Sequence, residues 1–341
     1  MASEAGPQPA PVAATSQVPH IALLLPVNSK IFGRHAAALR DGFLAAAKAG
    51  TRTLLPVREY AVTEAVANVL EGYRTAVAAG AQVIVGPLTR DAVTALAFGE
   101  PVPVPTLALN APDNVGRVPG NLYMLSLQIE TEARQVAQLA WNDGRRNAIT
   151  ISGGSPVQRR MQAAFADEFS RLGGRVVADV AYTPDQGRLK SLVRGSSGAD
   201  MYFLAQSYAD ARTTRTYLGA TPVYATSSVH AGDQGPLAGF DLAGVNFVDM
   251  PWLLEPNHAA VMIYPRPKLG SMDLERLYAL GIDAWRVAQQ LLGGARDIRL
   301  DGVTGRLTLG VDGHIERELV AGRFIDGRPQ AADPALREPA R

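Results

Sequence analysis

At 341 residues the chain is long enough for two domains. Hydrophobic residues make up 47% and charged residues 19%, the balance of a globular protein with a sizeable core, and a formal net charge of +1 gives no electrostatic footprint for nucleic acid or an anionic membrane. There is no cysteine, which excludes disulfides, a thiolate nucleophile and a thiolate metal site.

No apolar run reaches the ~20 residues of a membrane-spanning helix. Residues 1–18 are rich in Ala, Pro and Ser, lack the basic start and apolar middle of a signal peptide, and read as a disordered leader. A first strand is predicted over 20–25 (HIALLL), ending at Asn28 and Ser29, then a helix with Phe32, Ala36, Leu39, Phe43 and Ala46 on one stripe. A second strand follows over 54–60, with a helix opened by Thr63 and Glu64 that stops at Gly80.

Residues 80–96 (GAQVIVGPLTRDAVTAL) organise what surrounds them. A short β-branched run at 82–85 ends at Gly86-Pro87, and Thr89 stands where it can N-cap the next helix, with Asp91 in the first turn. A strand that ends at a helix start points free backbone N–H groups at one spot, a ready site for an anion or polar ligand. Strands over 104–109 and 122–127 and a helix from Glu130 to about Trp141 complete the first alternation of strand and helix.

The program then restarts: a strand at 147–151 ending at Ser152-Gly153-Gly154-Ser155, a helix from Pro156 carrying Met161, Phe165 and Phe169, a strand at 175–182, a helical stretch at 189–193, and a strand at 201–204 with a helix from Ser207. A strand at 222–225 leads to Thr226 and Ser227. The segment GAQVIV at 80–85 parallels GADMYF at 198–203, and PTLALN at 105–110 parallels PVYATS at 222–227, so each half repeats one βα unit. The last third departs from the repeat. It holds a strand at 244–249, a helix over 274–292 with Leu277, Leu280, Ala284, Val287 and Leu291 inward, and strands at 302–309 and 318–325 around an Asp312-Gly313 turn. Residues 328–341 read as a flexible tail.

Half a lobe, a whole lobe and a returning half-lobe resemble the type I periplasmic-binding-protein fold, an α/β architecture of two doubly wound parallel-sheet lobes joined by a three-crossing hinge. That resemblance implies a first lobe at 19–127 and 250–303, a second at 128–249 and 304–327, and crossings near 126–130, 248–254 and 303–309. Branched-chain amino-acid receptors are similar at the level of this pattern. A narrower resemblance is carried by HIALLLPVNSKIFGRHAAALRDGF, VIVGPLTRDAV, TLALN, VYATSSV, VDMPWLL, RLYALGIDAWRVA and GVTGRLTLGVDGHIERELVAGRFIDGRP. These segments resemble the penicillin-binding-protein activator family of LppC/LpoA type. Membership implies a non-enzymatic outer-membrane lipoprotein, anchored through its full-length precursor, that contacts a bifunctional peptidoglycan synthase in the periplasm and stimulates it. Longer members carry an additional helical-repeat domain, and this chain has neither that domain nor a lipobox cysteine.

No catalytic constellation stands out. Gly195-Ser196-Ser197-Gly198 precedes a strand where a nucleophile elbow follows one, and Ser152 to Ser155 match neither the dinucleotide nor the P-loop pattern. The five histidines have no metal-ligand spacing, and no cofactor or metal is expected. Ligands of open α/β sheets sit beyond the strand carboxyl ends. The cleft candidates are therefore Asn28, Ser29, Pro87, Leu88, Thr89, Arg90, Leu109 and Asn110 in the first lobe, and Ser152, Gly153, Ser155, Gln206, Ser207, Thr226 and Ser227 in the second, with Trp252 at a crossing. Arg34 or Arg90 suits a carboxylate, Asp113, Asp210 or Asp233 an amine, and Tyr208 or Tyr224 an aromatic wall. Two readings follow: a regulator of cell-wall synthesis that works through its surface, or a receptor that closes on a small polar ligand such as an amino acid or cell-wall fragment.

Overall fold

The computed structural model describes residues 17–50, 55–113, 116–185, 187, 189–191, 198–232 and 239–332. The first lobe is built from β1 (His20–Leu25), α1 (Gly33–Ala49), β2 (Val57–Ala61), α2 (Val66–Ala78), β3 (Ala81–Val85), α3 (Arg90–Gly99), β4 (Thr106–Ala108) and β5 (Leu122–Met124). Its five strands are parallel, in the order β2-β1-β3-β4-β5. All six residues of β1 are buried, because a parallel sheet is covered on both faces. Side chains alternate between those faces. Ile21, Leu23 and Leu25 pack with Leu39 and Phe43 of α1, while Ala22 and Leu24 pack with Val69, Tyr73 and Leu96 of α2 and α3.

The second lobe contains α4 (Ile129–Asn142), β6 (Asn147–Ser152), α5 (Pro156–Arg171), β7 (Arg175–Ala181), β8 (Met201–Ala205), α6 (Tyr208–Arg215), β9 (Val223–Ala225) and β10 (Val245–Asp249). These strands run β7-β6-β8-β9-β10, the same order as in the first lobe. The repeat seen in the sequence is thus a repeat of topology. Phe165 of α5 stacks on Phe203 of β8 with centroids 4.0 Å apart, anchoring one face of this sheet.

The chain then returns to the first lobe through α7 (Pro251–Leu254), α8 (Ala259–Met262), α9 (Met272–Leu292) and a small antiparallel sheet of β11 (Arg299–Asp301), β12 (Arg306–Leu309) and β13 (Ile315–Glu318). Helix α9 lies against α1 at backbone contact. A Cβ on Gly42 would stand 1.9 Å from Tyr278 O, and one on Gly281 would stand 2.0 Å from Leu39 O. Only glycine permits that approach. A single inward stripe was expected for this helix, but α1, β3 and the small sheet enclose it, so nearly every residue from Tyr278 to Ala288 is buried, whereas Leu277 is only partly covered.

Three boundaries differ from expectation. The Asp312-Gly313 turn joins β12 to β13, not to residues 318–325, and Gly313 takes φ 82° there. Residues 304–318 accordingly pack with the first lobe, where Val303, Leu307 and Ile315 share its core, and the third crossing falls between β13 and β14 (Val320–Ile325). Strand β14 pairs antiparallel with β10 and is followed by β15 (Arg328–Ala331), so the first residues of the expected tail form an edge strand of the second-lobe sheet. Alternation of Pro and polar residues concealed that strand. Residues 1–16 and 333–341, the Gly195-Ser196-Ser197 loop, Asp233 and the end of the 189–193 helix lie outside the described residues.

Candidate functional site

The first-lobe strand ends bring Pro87, Leu88, Leu109 and Asn110 together. Leu109 N donates to Pro87 O at 2.9 Å and Asn110 Nδ2 to Leu88 O at 3.2 Å. Ser29 Oγ accepts from Ile31 N and Phe32 N at 3.1 and 2.9 Å, closing the turn before α1, and Asn28 Nδ2 donates to Ala61 O at 3.3 Å. Thr89 holds the N-cap position of α3, but its side chain does not cap: Oγ1 is buried with no partner among the described residues. Arg90 Nη1 pairs with Asp113 Oδ1 at 3.1 Å, and Arg34 Nη2 donates to Leu269 O at 3.3 Å. Both candidate carboxylate ligands are thus engaged internally.

The same holds in the second lobe. Ser155 forms a reciprocal capping box with Gln158 at the start of α5, and Ser207 caps α6 through Asp210 N at 3.3 Å. Ser152 Oγ donates to Gly153 O at 2.9 Å. Gln206 is fully buried. Its Nε2 donates to Thr214 Oγ1 at 3.0 Å, and its Oε1 has no partner among the described residues. Thr226 Oγ1 lies 2.9 Å from Ser228 Oγ, and Ser227 donates to Glu132 Oε2 from both N (3.2 Å) and Oγ (2.6 Å). Tyr224 points away from the cleft, its hydroxyl donating to Asp143 Oδ2 at 2.9 Å near the start of the sheet. Trp252 is not a cleft wall. It is wholly buried in the first-lobe core, with Nε1 on Glu275 Oε2 at 3.1 Å and the Arg266 guanidinium 4.5 Å above its ring.

Between the lobes lies a group of buried charges. Arg276, near the start of α9 in the first lobe, reaches across to the end of β10. Its Nη2 donates to Asp249 Oδ2 at 2.8 Å and to the carbonyls of Ser227 and His230 at 3.1 Å each. His230 Nδ1 lies 2.8 Å from the same Asp249 oxygen. Arg317 on β13 donates to Ser126 O at 2.8 Å and Thr304 O at 3.1 Å, tying the first crossing to the returning segment. Asp283 on α9 accepts from Val303 N, Thr304 N and Thr304 Oγ1 at 3.1, 2.7 and 2.7 Å.

Burial sets the electrostatics of this group. It pushes the Asp249 carboxyl up, but the Arg276 charge and hydrogen bonds from His230 and Arg276 outweigh it and hold the group at about 2. Burial also pulls the Arg276 guanidinium down, and Asp249 more than restores it. For Glu132 burial prevails, reinforced by Asp249, and its carboxyl is raised despite Arg317 and Ser227. Asp283 is raised by burial as well. The buried Arg276–Asp249 pair, with the further bonds of Arg276 to the Ser227 and His230 carbonyls, links the first lobe to the second.

None of Glu132, His230, Asp249, Arg276, Asp283 or Arg317 was singled out from the sequence. Four of them sit inside segments that carried the family resemblance: Asp249 in VDMPWLL, Arg276 and Asp283 in RLYALGIDAWRVA, Arg317 in GVTGRLTLGVDGHIER. For Asp249, Asp283 and Arg317, a charge at a position otherwise buried by the helical or strand period was the available signal.

Two doubly wound lobes of identical strand order, joined by three crossings and facing each other at their strand carboxyl ends, define the type I periplasmic-binding-protein class of fold. The chain belongs to the LppC family, described as "LppC putative lipoprotein", which matches residues 13–219 and 188–327. It is 27% identical over 92% of its length to a penicillin-binding protein activator LpoA of Pasteurella multocida and covers 54% of that protein. The chain thus spans about half the length of the curated relatives it matches. Among solved structures it is 42% identical, with TM-score 0.78, to one from Chromobacterium violaceum titled "a putative branched-chain amino acid ABC transporter", covering 90% of this chain and 99% of that one. The C-domain of Haemophilus influenzae LpoA, titled a regulator of PBP1A, is 25% identical with TM-score 0.77, covering 92% of this chain and all of that one.

Proposed function

We propose that this chain is a non-enzymatic regulatory domain that contacts and stimulates a bifunctional peptidoglycan synthase, a penicillin-binding protein, in the periplasm. It acts as part of an outer-membrane lipoprotein, and no helix among the described residues is long and apolar enough to cross the membrane. The observation that carries this reading is the internal engagement of the strand-end polar groups: Arg90 pairs with Asp113, Ser155 and Ser207 cap helices, and Ser227 bonds Glu132. At the second crossing Arg276 of the first lobe is bonded to Asp249 at the end of β10. A domain whose strand-end groups bond one another leaves its outer surface to meet a partner. Family membership and the likeness to the LpoA C-domain support the same conclusion. The test is a glycan-polymerisation and crosslinking assay with the synthase of the same organism. Added chain is expected to raise one or both rates, and unchanged rates with folded protein would remove the proposal.

A receptor for a small polar ligand is the second reading. It is favoured by the two unpartnered buried groups, Thr89 Oγ1 and Gln206 Oε1, at strand ends of opposite lobes, and by the likeness to the Chromobacterium violaceum protein. Calorimetric titration with amino acids and muropeptides separates the readings, since the receptor requires a saturable heat.

A further inference from the structure

The amino ends of the second-lobe strands, at the opposite end of the sheet from the cleft, open on a cavity of about 530 Å³, a volume typical of small-molecule sites. A polar row crosses three paired strands on its floor. Tyr224 on β9 lies opposite Asn246 on β10, and Asn246 lies opposite Arg323 on β14. Residues in register on neighbouring strands share a face, so the three side chains stand side by side. Arg145, just beyond α4, and Arg215, the last residue of α6, complete the lining from helices on opposite faces of the sheet.

These guanidinium groups keep donors in reserve. Arg215 uses Nε on Ala243 O at 3.1 Å and Nη1 on Gly219 O at 3.0 Å, which leaves Nη2. Arg145 Nε is buried without a partner among the described residues. The Arg323 guanidinium has no hydrogen bond or ion pair among the described residues. Two of the reserve donors converge: Arg215 Nη2 and Arg323 Nη2 lie 3.7 and 3.8 Å from the point that a Cβ would occupy at Gly244, whose φ of 77° suits glycine. Against the three positive charges stand the Asp143 carboxylate and the carbonyl ends of α4 and α6, each about half a negative charge. The balance is positive.

We propose that this cavity binds an oxyanion, a carboxylate or phosphate carried on a small molecule, between Arg145, Arg215 and Arg323. Guanidinium forks match both groups, and Leu139, Pro222 and Phe324 offer an apolar wall for the rest of the molecule. The site does not touch the cleft and stands or falls independently of the synthase reading. The test is isothermal titration of the whole chain with sodium succinate and with sodium phosphate, using sodium chloride at matched ionic strength as control. Saturable binding of either probe is expected, and the tighter one identifies the source of the oxyanion. Arg323→Gln should weaken it about tenfold or more, the loss of one charge-assisted hydrogen bond, with an unchanged circular dichroism spectrum, while Arg306→Gln on the distant β12 leaves it unaltered. No heat above the chloride control, or equal affinity in Arg323→Gln, overturns the proposal.

Discussion

Replacing Arg276 by Met keeps an unbranched apolar stem and removes the charge. In the structure this leaves Asp249 buried with only His230 Nδ1 at 2.8 Å and Met250 N at 2.9 Å, and it strips the hydrogen bonds from the carbonyls of Ser227 and His230. Breaking a buried ion pair from one side costs about 3–5 kcal/mol, and the two remaining partners of Asp249 place this case near the lower end. Adding Asp249→Asn removes the stranded charge, so the double variant should be more stable than Arg276→Met alone by about 1–3 kcal/mol. Urea denaturation reads both quantities. Trp252 and Trp285 report the first-lobe core and Trp141 the second lobe, so tryptophan fluorescence with single Trp→Phe backgrounds follows each lobe. Joined lobes should unfold in one transition in the parent and in two in Arg276→Met. A loss under ~1 kcal/mol, strict additivity of the two substitutions, or unchanged cooperativity would refute the reasoning.

Gly281→Ala should cost about 1–3 kcal/mol in the same assay, because its Cβ meets Leu39 O at 2.0 Å and α1 must shift; a neutral result would mean that the helices are not in backbone contact. Burial raises the folded-state pKa of Glu132, so its ionisation opposes folding, and the stability it permits is complete below its ordinary value of 4.5 and lost as pH rises through the raised value. Glu132→Gln should therefore be more stable than the parent at neutral pH, with the gain vanishing below pH 4.5. Asp249 has the opposite sign: held at about 2, it stabilises above its ordinary 3.8 and that contribution fades as pH falls toward 2. Ser155→Ala should cost about 1 kcal/mol through its capping box, while Thr89→Ala, which removes an unpartnered hydroxyl, should cost almost nothing in thermal unfolding.

Much of the architecture was legible because strand and helix periods differ and the same unit occurs twice. The apolar run IALLL after His20 reads as a strand covered on both faces, and the two PTLALN-like segments became β4 and β9 in equivalent places. The last third was harder to read. Residues 302–318 look like part of a hairpin with their neighbour in sequence, yet β14 pairs with β10, some seventy residues earlier, and local turn chemistry carries no information about such a partner. Most of the expected cleft residues lie at or just beyond strand ends, but polarity alone does not say whether a serine meets a ligand or caps a helix, as Ser155 and Ser207 do. Arg276 was invisible for a related reason. On a helix predicted to have one buried stripe it reads as surface, and only its contacts with Ser227, His230 and Asp249 of the second lobe make it interior.

The central claim is that the lobes are held in one arrangement by internal charges. The absence of cysteine allows a spin-label pair to be introduced at exposed positions, Glu71→Cys on α2 and Ala163→Cys on α5, without background labelling. Pulsed electron–electron resonance should give a single narrow distance distribution that a pool of amino acids and muropeptides leaves unchanged, and a broader one when Arg276→Met is added. A distribution that shifts to shorter distance on adding the pool would contradict the account.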